Sequence, residues 1–204
     1  MKYTFATLAL AAASLANPVP TTSSDAPSSF KIVNVVSGGS GCPQGSIDVN
    51  WTDNKIFPIY FSPAFTARVG SRADATDSRK NCQLNLKLSY DSGFSFSVYS
   101  ADYTGWADLD SGVTGTVKAS YYFSGETEQG SAALSIPGPF HGKYFKQDNV
   151  DLAVWSPCGA GEALLNVNSE VSLSPFATSA SGVLASTREG GRLVNNLYFA
   201  WRKC

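Results

Sequence analysis

Histidine is nearly absent from this 204-residue sequence, in which His141 is the only one. One imidazole cannot form a copper site that needs an N-terminal histidine plus a second histidine, nor a zinc site of the two-histidine type. Charge is also scarce, since Lys, Arg, Asp and Glu make up 15% of the chain and the formal net charge is −1. This balance excludes the strongly positive surface that nucleic-acid binding requires.

Long apolar runs are absent as well, because no stretch reaches the roughly 20 residues of a membrane-spanning helix. The longest run lies at the start, where Lys2 precedes a mostly apolar segment and the small residues Ser14 and Ala16 follow. This pattern is typical of a signal peptide over residues 1–16 and predicts a secreted, extracellular protein with no membrane partner. Residues 17–29 are rich in Pro, Ser and Thr, which predicts a disordered leader before a single domain over 30–204.

Four cysteines are present, an even number that fits an oxidising compartment: Cys42, Cys82, Cys158 and Cys204. If all four are oxidised, thiolate nucleophiles and thiolate metal sites are excluded. Three pairings are formally possible. We favour Cys42–Cys82 with Cys158–Cys204, because each bridge then closes its own half of the chain.

Apolar residues alternate with polar ones along most of the chain, at the period of β-strands. The clearest examples are Leu84, Leu86 and Leu88, then Phe94, Phe96 and Val98, then Leu165, Val167, Val171 and Leu173. Weaker copies occur at 31–36, 47–52, 57–61, 113–123, 131–136, 150–155 and 193–201. Turn residues separate these segments. Such strands form either two stacked sheets or a closed barrel, and their short length and uneven spacing favour stacked sheets. We therefore expect an all-β, antiparallel, jelly-roll-like β-sandwich of about ten strands and two disulfides.

Catalytic chemistry has few candidates. His141 lies among Gly and Pro residues, which predicts a loop histidine, and no Gly-x-Ser-x-Gly motif supplies a serine nucleophile for it. A glycosidase needs two facing carboxylates, and no spacing selects a pair among Asp102, Asp108, Asp110, Glu126, Glu128, Glu162 and Glu170. The three aspartates among them fit a hydrogen-bonded turn better than a calcium loop. We therefore expect no cofactor and no metal, and the sequence leans against an enzyme.

Aromatic residues are numerous, and strict alternation cannot place all of them in the core. Exposed rings beside amides and carboxylates are typical of surfaces that bind sugars or proteins, although tyrosine also simply favours strands. The residues predicted to form such a surface are Tyr99, Tyr103, Trp106, Tyr122 and Tyr144. The sequence also contains one sequon, Asn50-Trp51-Thr52, which predicts a glycoprotein modified at Asn50.

Several ordered motifs surround the cysteines: Gly-Ser-Gly-Cys-Pro-Gln-Gly-Ser at 39–46, Asp-Ser-Arg-Lys-Asn-Cys-Gln-Leu-Asn-Leu at 77–86, Trp-Ser-Pro-Cys-Gly at 155–159 and Trp-Arg-Lys-Cys at 201–204. With these motifs the chain resembles the domain-of-unknown-function family 4360 over about residues 35–204. That family consists of small secreted proteins, mostly fungal, so the resemblance implies a fungal extracellular origin. It implies no activity and no catalytic residue.

Three hypotheses for function remain. The first is a non-enzymatic, monomeric surface module that binds a cell-wall polysaccharide or a host protein. The second is a carbohydrate-active hydrolase that uses two of the acids named above. The third is a structural coat or effector protein without a small ligand.

Overall fold

The computed structural model describes residues 26–50, 56–149, 154–184 and 194–204. The predicted signal peptide and most of the predicted leader lie outside the described residues. Within the described part of the chain, no helix is long and apolar enough to cross a membrane.

Twelve strands make up the described chain, with one turn of 3-10 helix at Ala75–Asp77. The strands are β1 (Phe30–Gly38), β2 (Asp48–Val49), β3 (Ile56–Tyr60), β4 (Ala67–Val69), β5 (Arg79–Tyr90), β6 (Phe94–Leu109), β7 (Thr114–Phe123), β8 (Gln129–Pro137), β9 (Phe140–Asn149), β10 (Glu162–Ser174), β11 (Gly182–Leu184) and β12 (Val194–Lys203).

The strands form two antiparallel sheets that pack face to face. Sheet A has the order β1-β5-β10-β7-β8. Sheet B has the order β2-β3-β12-β6-β11-β4, and β9 also pairs with β6. Because β9 pairs along residues 100–109 of β6, it occupies the side of β6 opposite to β12 and β11, which follow one another along the other side. The long strand β6 therefore forms the middle of sheet B.

The core lies between the sheets and is rich in aromatic rings. Phe96 is fully buried, and its ring contacts the rings of Phe30, Tyr90, Phe123, Phe199 and Trp201 at centroid distances of 5.0–6.1 Å. These rings come from β1, β5, β6, β7 and β12, so the cluster joins both sheets.

The predicted antiparallel β-sandwich with two disulfides is confirmed, with two local corrections. His141 belongs to strand β9 rather than to a loop, because Phe140–Asn149 pairs along β6. Asp102 and Asp108 also lie within a strand, β6, and do not form the expected aspartate-rich turn.

The predicted disulfide pairing is confirmed. Cys42–Cys82 spans 5.3 Å between Cα atoms and Cys158–Cys204 spans 5.7 Å. Their surroundings differ, since Cys42 and Cys82 are fully buried in the core whereas Cys158 and Cys204 are exposed.

We expect a mild phosphine reductant, under native conditions, to open Cys158–Cys204 well before Cys42–Cys82. Thiol–disulfide chemistry requires access to a sulfur atom, and only the Cys158–Cys204 pair offers it without unfolding. Alkylation during a reduction time course, followed by peptide mass spectrometry, measures both rates. Equal rates for the two bridges would contradict this expectation.

Asp91, in the turn between β5 and β6, holds the two residues that precede β1. Its carboxylate accepts hydrogen bonds from the backbone N–H groups of Ser28 and Ser29, at 2.6 and 3.1 Å, and from both hydroxyls. These hydrogen bonds, from the Ser29 and Ser28 hydroxyls first, lower the pKa of Asp91 to about 2. Cys204 reaches the same turn, because its N–H donates to the Gly93 carbonyl at 2.8 Å.

Candidate functional site

The face of sheet B that points away from sheet A is defined by a bulge in β6. Val98 pairs with Phe199 and Ser100 pairs with Tyr198, so Tyr99 is an extra residue on β6. After the bulge, Ala101 and Tyr103 face the core. Because side chains alternate along a strand, Ser100, Asp102, Thr104 and Trp106 share the opposite side. We call these four residues, the exposed Tyr99 and their outward-facing neighbours on β12 and β9 the outer B face.

Strand pairing arranges the outer B face in rows that cross the sheet. Asp102 lies between Asn196 of β12 and Gln147 of β9. The next row holds Thr104 between Val194 and Phe145. The row of Asp102 is thus polar, and the row of Thr104 adds apolar surface beside it.

Asp102 is the central feature of this face. It is only 6% exposed, and its Oδ2 accepts a hydrogen bond from the Tyr198 hydroxyl at 2.5 Å. Its Oδ1 is buried and has no partner among the described residues. The hydrogen bond to Asp102 raises the pKa of Tyr198 to about 12, so this hydroxyl remains a donor throughout the neutral pH range. Asp102 is therefore a buried acceptor that is only half satisfied.

In the described part of the chain, Trp106 has a buried hydrogen-bond donor without a partner, whereas Asp102 has a buried acceptor. Its Nε1 is buried and has no hydrogen-bond partner among the described residues. Its ring meets the ring of His141 edge to face at a centroid distance of 5.0 Å. His141 Nδ1 lies 3.0 Å from Asp108 Oδ1, and this contact keeps the imidazole beside the indole.

Aromatic rings flank Asp102. Tyr99 is 40% exposed, and its ring lies 6.2 Å from that of Tyr198 with an interplanar angle of 54°. Phe145, one row further along, is 66% exposed. The two tyrosines are tilted rather than coplanar, so they form an angled wall instead of a flat stacking surface.

The five residues predicted to bind a ligand do not lie together. Tyr99 and Trp106 are on the outer B face. Tyr103 and Tyr144 are 2% and 6% exposed and point into the core, where they cannot offer a ring to a surface ligand. The Tyr103 hydroxyl contacts that of Tyr121 at 2.8 Å, and burial raises the pKa of Tyr144. Tyr122 lies on the outward side of sheet A, where its hydroxyl accepts a hydrogen bond from Gln83.

Sequence reasoning did not select Tyr198, Asn196, Gln147 or Phe145. A signal exists for the first two, because Leu197 and Phe199 alternate with them and point inward. Phe145 and Gln147 were missed because β9 itself was not predicted.

Comparisons with known proteins identify the family. The family model described as a domain of unknown function (DUF4360) matches residues 28–204. The chain belongs to the DUF4360 family. A relative from Arthroderma benhamiae, described as an uncharacterized secreted protein, is 40% identical over 180 residues, which are 87% of this chain and 73% of the relative. The secreted relative and the two disulfides show that this protein is secreted.

Solved structures give weak matches. A carbohydrate-binding module that recognises mannan, TmCBM27, matches 86% of this chain and 99% of its own with 9% identity and a TM-score of 0.34. TmCBM61 in complex with β-1,4-galactotriose matches 84% of this chain and 90% of its own with 9% identity and a TM-score of 0.26. Scores of this size do not indicate a shared site.

The candidate acids lie at several places in the fold, and two of them share a cleft. Glu170 pairs with Arg79 and Glu162 with Lys87, and Asp110 accepts the N–H of Ser181. Glu126 and Glu128 line one cleft of about 350 Å³, together with Trp155 and Arg202. Within the ranges that the structure describes, no group of three His, Cys, Asp or Glu residues could hold a metal ion.

Asn50 is exposed just after β2, and its N–H donates to the Pro58 carbonyl at 3.2 Å. It borders a cleft of about 570 Å³ that Tyr60 and Val35 also line. The rest of the sequon, Trp51 and Thr52, lies outside the described residues, so N-glycosylation stays a prediction.

Proposed function

We propose that this secreted protein binds a neutral polysaccharide through the outer B face. The observation that supports this most directly is the buried Asp102 carboxylate, which keeps one oxygen without a partner beside exposed aromatic rings. A buried acceptor without a partner is costly, and a ligand hydroxyl would satisfy it.

The chemistry of sugars fits this arrangement. A pyranose ring has an apolar face of C–H groups, which packs on aromatic rings such as Tyr99 and Phe145, and an edge of hydroxyls. Asp102 accepts from those hydroxyls, and the amides of Asn196 and Gln147 can both donate and accept. The hydrogen bond from Tyr198 fixes the orientation of the Asp102 carboxylate in advance, which reduces the ordering cost of binding.

Charge favours a neutral ligand over an anionic one. Asp102 forms no ion pair with a Lys or Arg among the described residues, and its two neighbours across the strands are the uncharged amides of Asn196 and Gln147. An acidic polysaccharide would bring a second negative charge next to a buried carboxylate.

The distance between the carboxylates on the outer B face favours binding over hydrolysis at this face. Asp108 is the next carboxylate along this face in the described chain, six residues from Asp102 on the same strand. A strand rises about 3.3 Å per residue, which separates the two by roughly 20 Å. Glycosidase carboxylates lie about 5 to 9.5 Å apart.

A sedimentation assay on insoluble chitin, β-glucan and cellulose tests the proposal, with soluble sugars measured in each supernatant. We expect the purified protein to be retained on at least one polysaccharide without release of sugar. Release of sugar would instead support the hydrolase alternative. Retention on none of the three polysaccharides would contradict the proposal. A host-protein ligand or a structural role would then be the alternatives.

A further inference from the structure

Two buried polar atoms without partners lie on the same strand and the same face. Six such side-chain atoms occur in the described chain, on Ser46, Asp102, Trp106, Tyr144, Ser169 and Asn195. Ser46 is in a loop, and Tyr144, Ser169 and Asn195 lie on the inward sides of their strands. Only Asp102 Oδ1 and Trp106 Nε1 belong to the outer B face.

These two atoms are complementary, because one is an acceptor and the other a donor. Asp102 and Trp106 are four residues apart on β6, which places their Cα atoms about 13 Å apart along the strand. Thr104 lies between them, with the exposed ring of Phe145 beside it. One or two pyranose rings do not cover this distance, whereas a longer chain does.

The positions of the aromatic rings favour a ligand that lies along β6 rather than across the sheet. Rings occur at both ends and beside the middle of this path, namely the Tyr99 and Tyr198 pair, then Phe145, then Trp106. Across the sheet, the row of Asp102 continues through Asn196 to Pro58, which is buried. Lys143 lies beside Trp106 in the same row, and the contacting side chains of His141 and Asp108 follow in the next row.

We propose that the ligand is an extended, neutral, linear oligosaccharide segment of at least three sugar units. It lies along β6, donates a hydroxyl hydrogen bond to Asp102 Oδ1 and accepts one from Trp106 Nε1. Because both atoms are buried, the ligand reaches them only when neighbouring side chains move aside. This inference rests on the proposed function and adds the direction of the bound chain, its minimum length and a second anchoring residue.

Calorimetric titration with cello-, laminari- and chito-oligosaccharides of one to six units tests the inference. For the series that binds, we expect affinity to rise at least tenfold between two and four units and then to level off. Trp106→Phe keeps an aromatic ring but removes the N–H, so it should remove most of that rise while leaving the affinity for the disaccharide nearly unchanged. Asp102→Asn should weaken binding at every length.

Trp201→Phe is the matched control, because its ring packs against Phe30 and Phe96 between the sheets. It should leave the dependence on length intact. The dependence on length in the wild-type protein tests the inference even if Trp106→Phe folds poorly. If the protein is retained on a polysaccharide but its affinity does not vary with oligosaccharide length, the inference is overturned while the proposed function stands. The same holds if the protein is retained but no oligosaccharide binds measurably. No retention on any polysaccharide would overturn it together with the proposed function.

Discussion

Asp102→Asn is expected to reduce polysaccharide retention at least about tenfold without lowering the thermal midpoint of unfolding. A hydrogen bond to a charged group is worth about 1.5–3 kcal/mol, and an amide oxygen replaces the carboxylate oxygen only in part. Stability should stay constant or rise, because the substitution removes a buried charge that has no ion-pair partner among the described residues. Parallel measurement of retention and thermal unfolding checks both halves of this expectation.

Asp74→Asn is a matched control for the loss of one negative charge. Asp74 is exposed, and its side chain does not cap the short 3-10 helix that follows it. This variant should bind like the wild type. In Asp102→Asn the pKa of Tyr198 should also fall from about 12 toward its usual value, which ultraviolet titration of the tyrosines detects. A loss of stability as large as the loss of binding would show that Asp102 serves the fold rather than a ligand.

Phe96→Ala is expected to destabilise the protein by about 3–5 kcal/mol. The ring is fully buried and contacts five other rings from both sheets, so its removal leaves a cavity that cannot be filled by a small shift. Urea denaturation followed by tryptophan fluorescence gives the free energy of unfolding.

Phe145→Ala makes the same chemical change at a side chain that is 66% exposed. Its effect on unfolding should stay within about 0.5 kcal/mol, whereas binding to polysaccharide should weaken. A loss below about 1 kcal/mol in Phe96→Ala would mean that the aromatic cluster is not the centre of the core.

The strands that could be predicted well from the sequence are those in which apolar and polar residues alternate strictly. Leu84, Leu86 and Leu88 all point into the core from a strand with neighbours on both sides. Strand β9 lacks such alternation, because Gly142 and Lys146 share its inward register with Phe140 and Tyr144. Strand β9 pairs with β6 and buries few of its side chains, so its sequence does not need to alternate strictly.

The candidate site was harder to predict because the bulge at Tyr99 shifts the phase of β6. If Phe94, Phe96 and Val98 point inward, uninterrupted alternation places Tyr103 outward and Asp102 and Trp106 inward. One extra residue reverses the order, since a shift by one moves every later side chain to the other face. Tyr99 precedes the reversal and keeps its expected exposure. A β-branched or aromatic run carries no signal for such a bulge, so only the three-dimensional structure separates Tyr103 from Trp106.

The turn at residues 91–93 contacts both Ser28 and Cys204. Polypeptide attached before residue 28 or after residue 204 therefore departs from one pole of the sandwich, next to the exposed bridge. A circular permutant that joins these two points through a short linker would keep every strand pairing, with new termini opened in a surface loop. The same proximity means that a tether at either end would hold the molecule in nearly the same orientation.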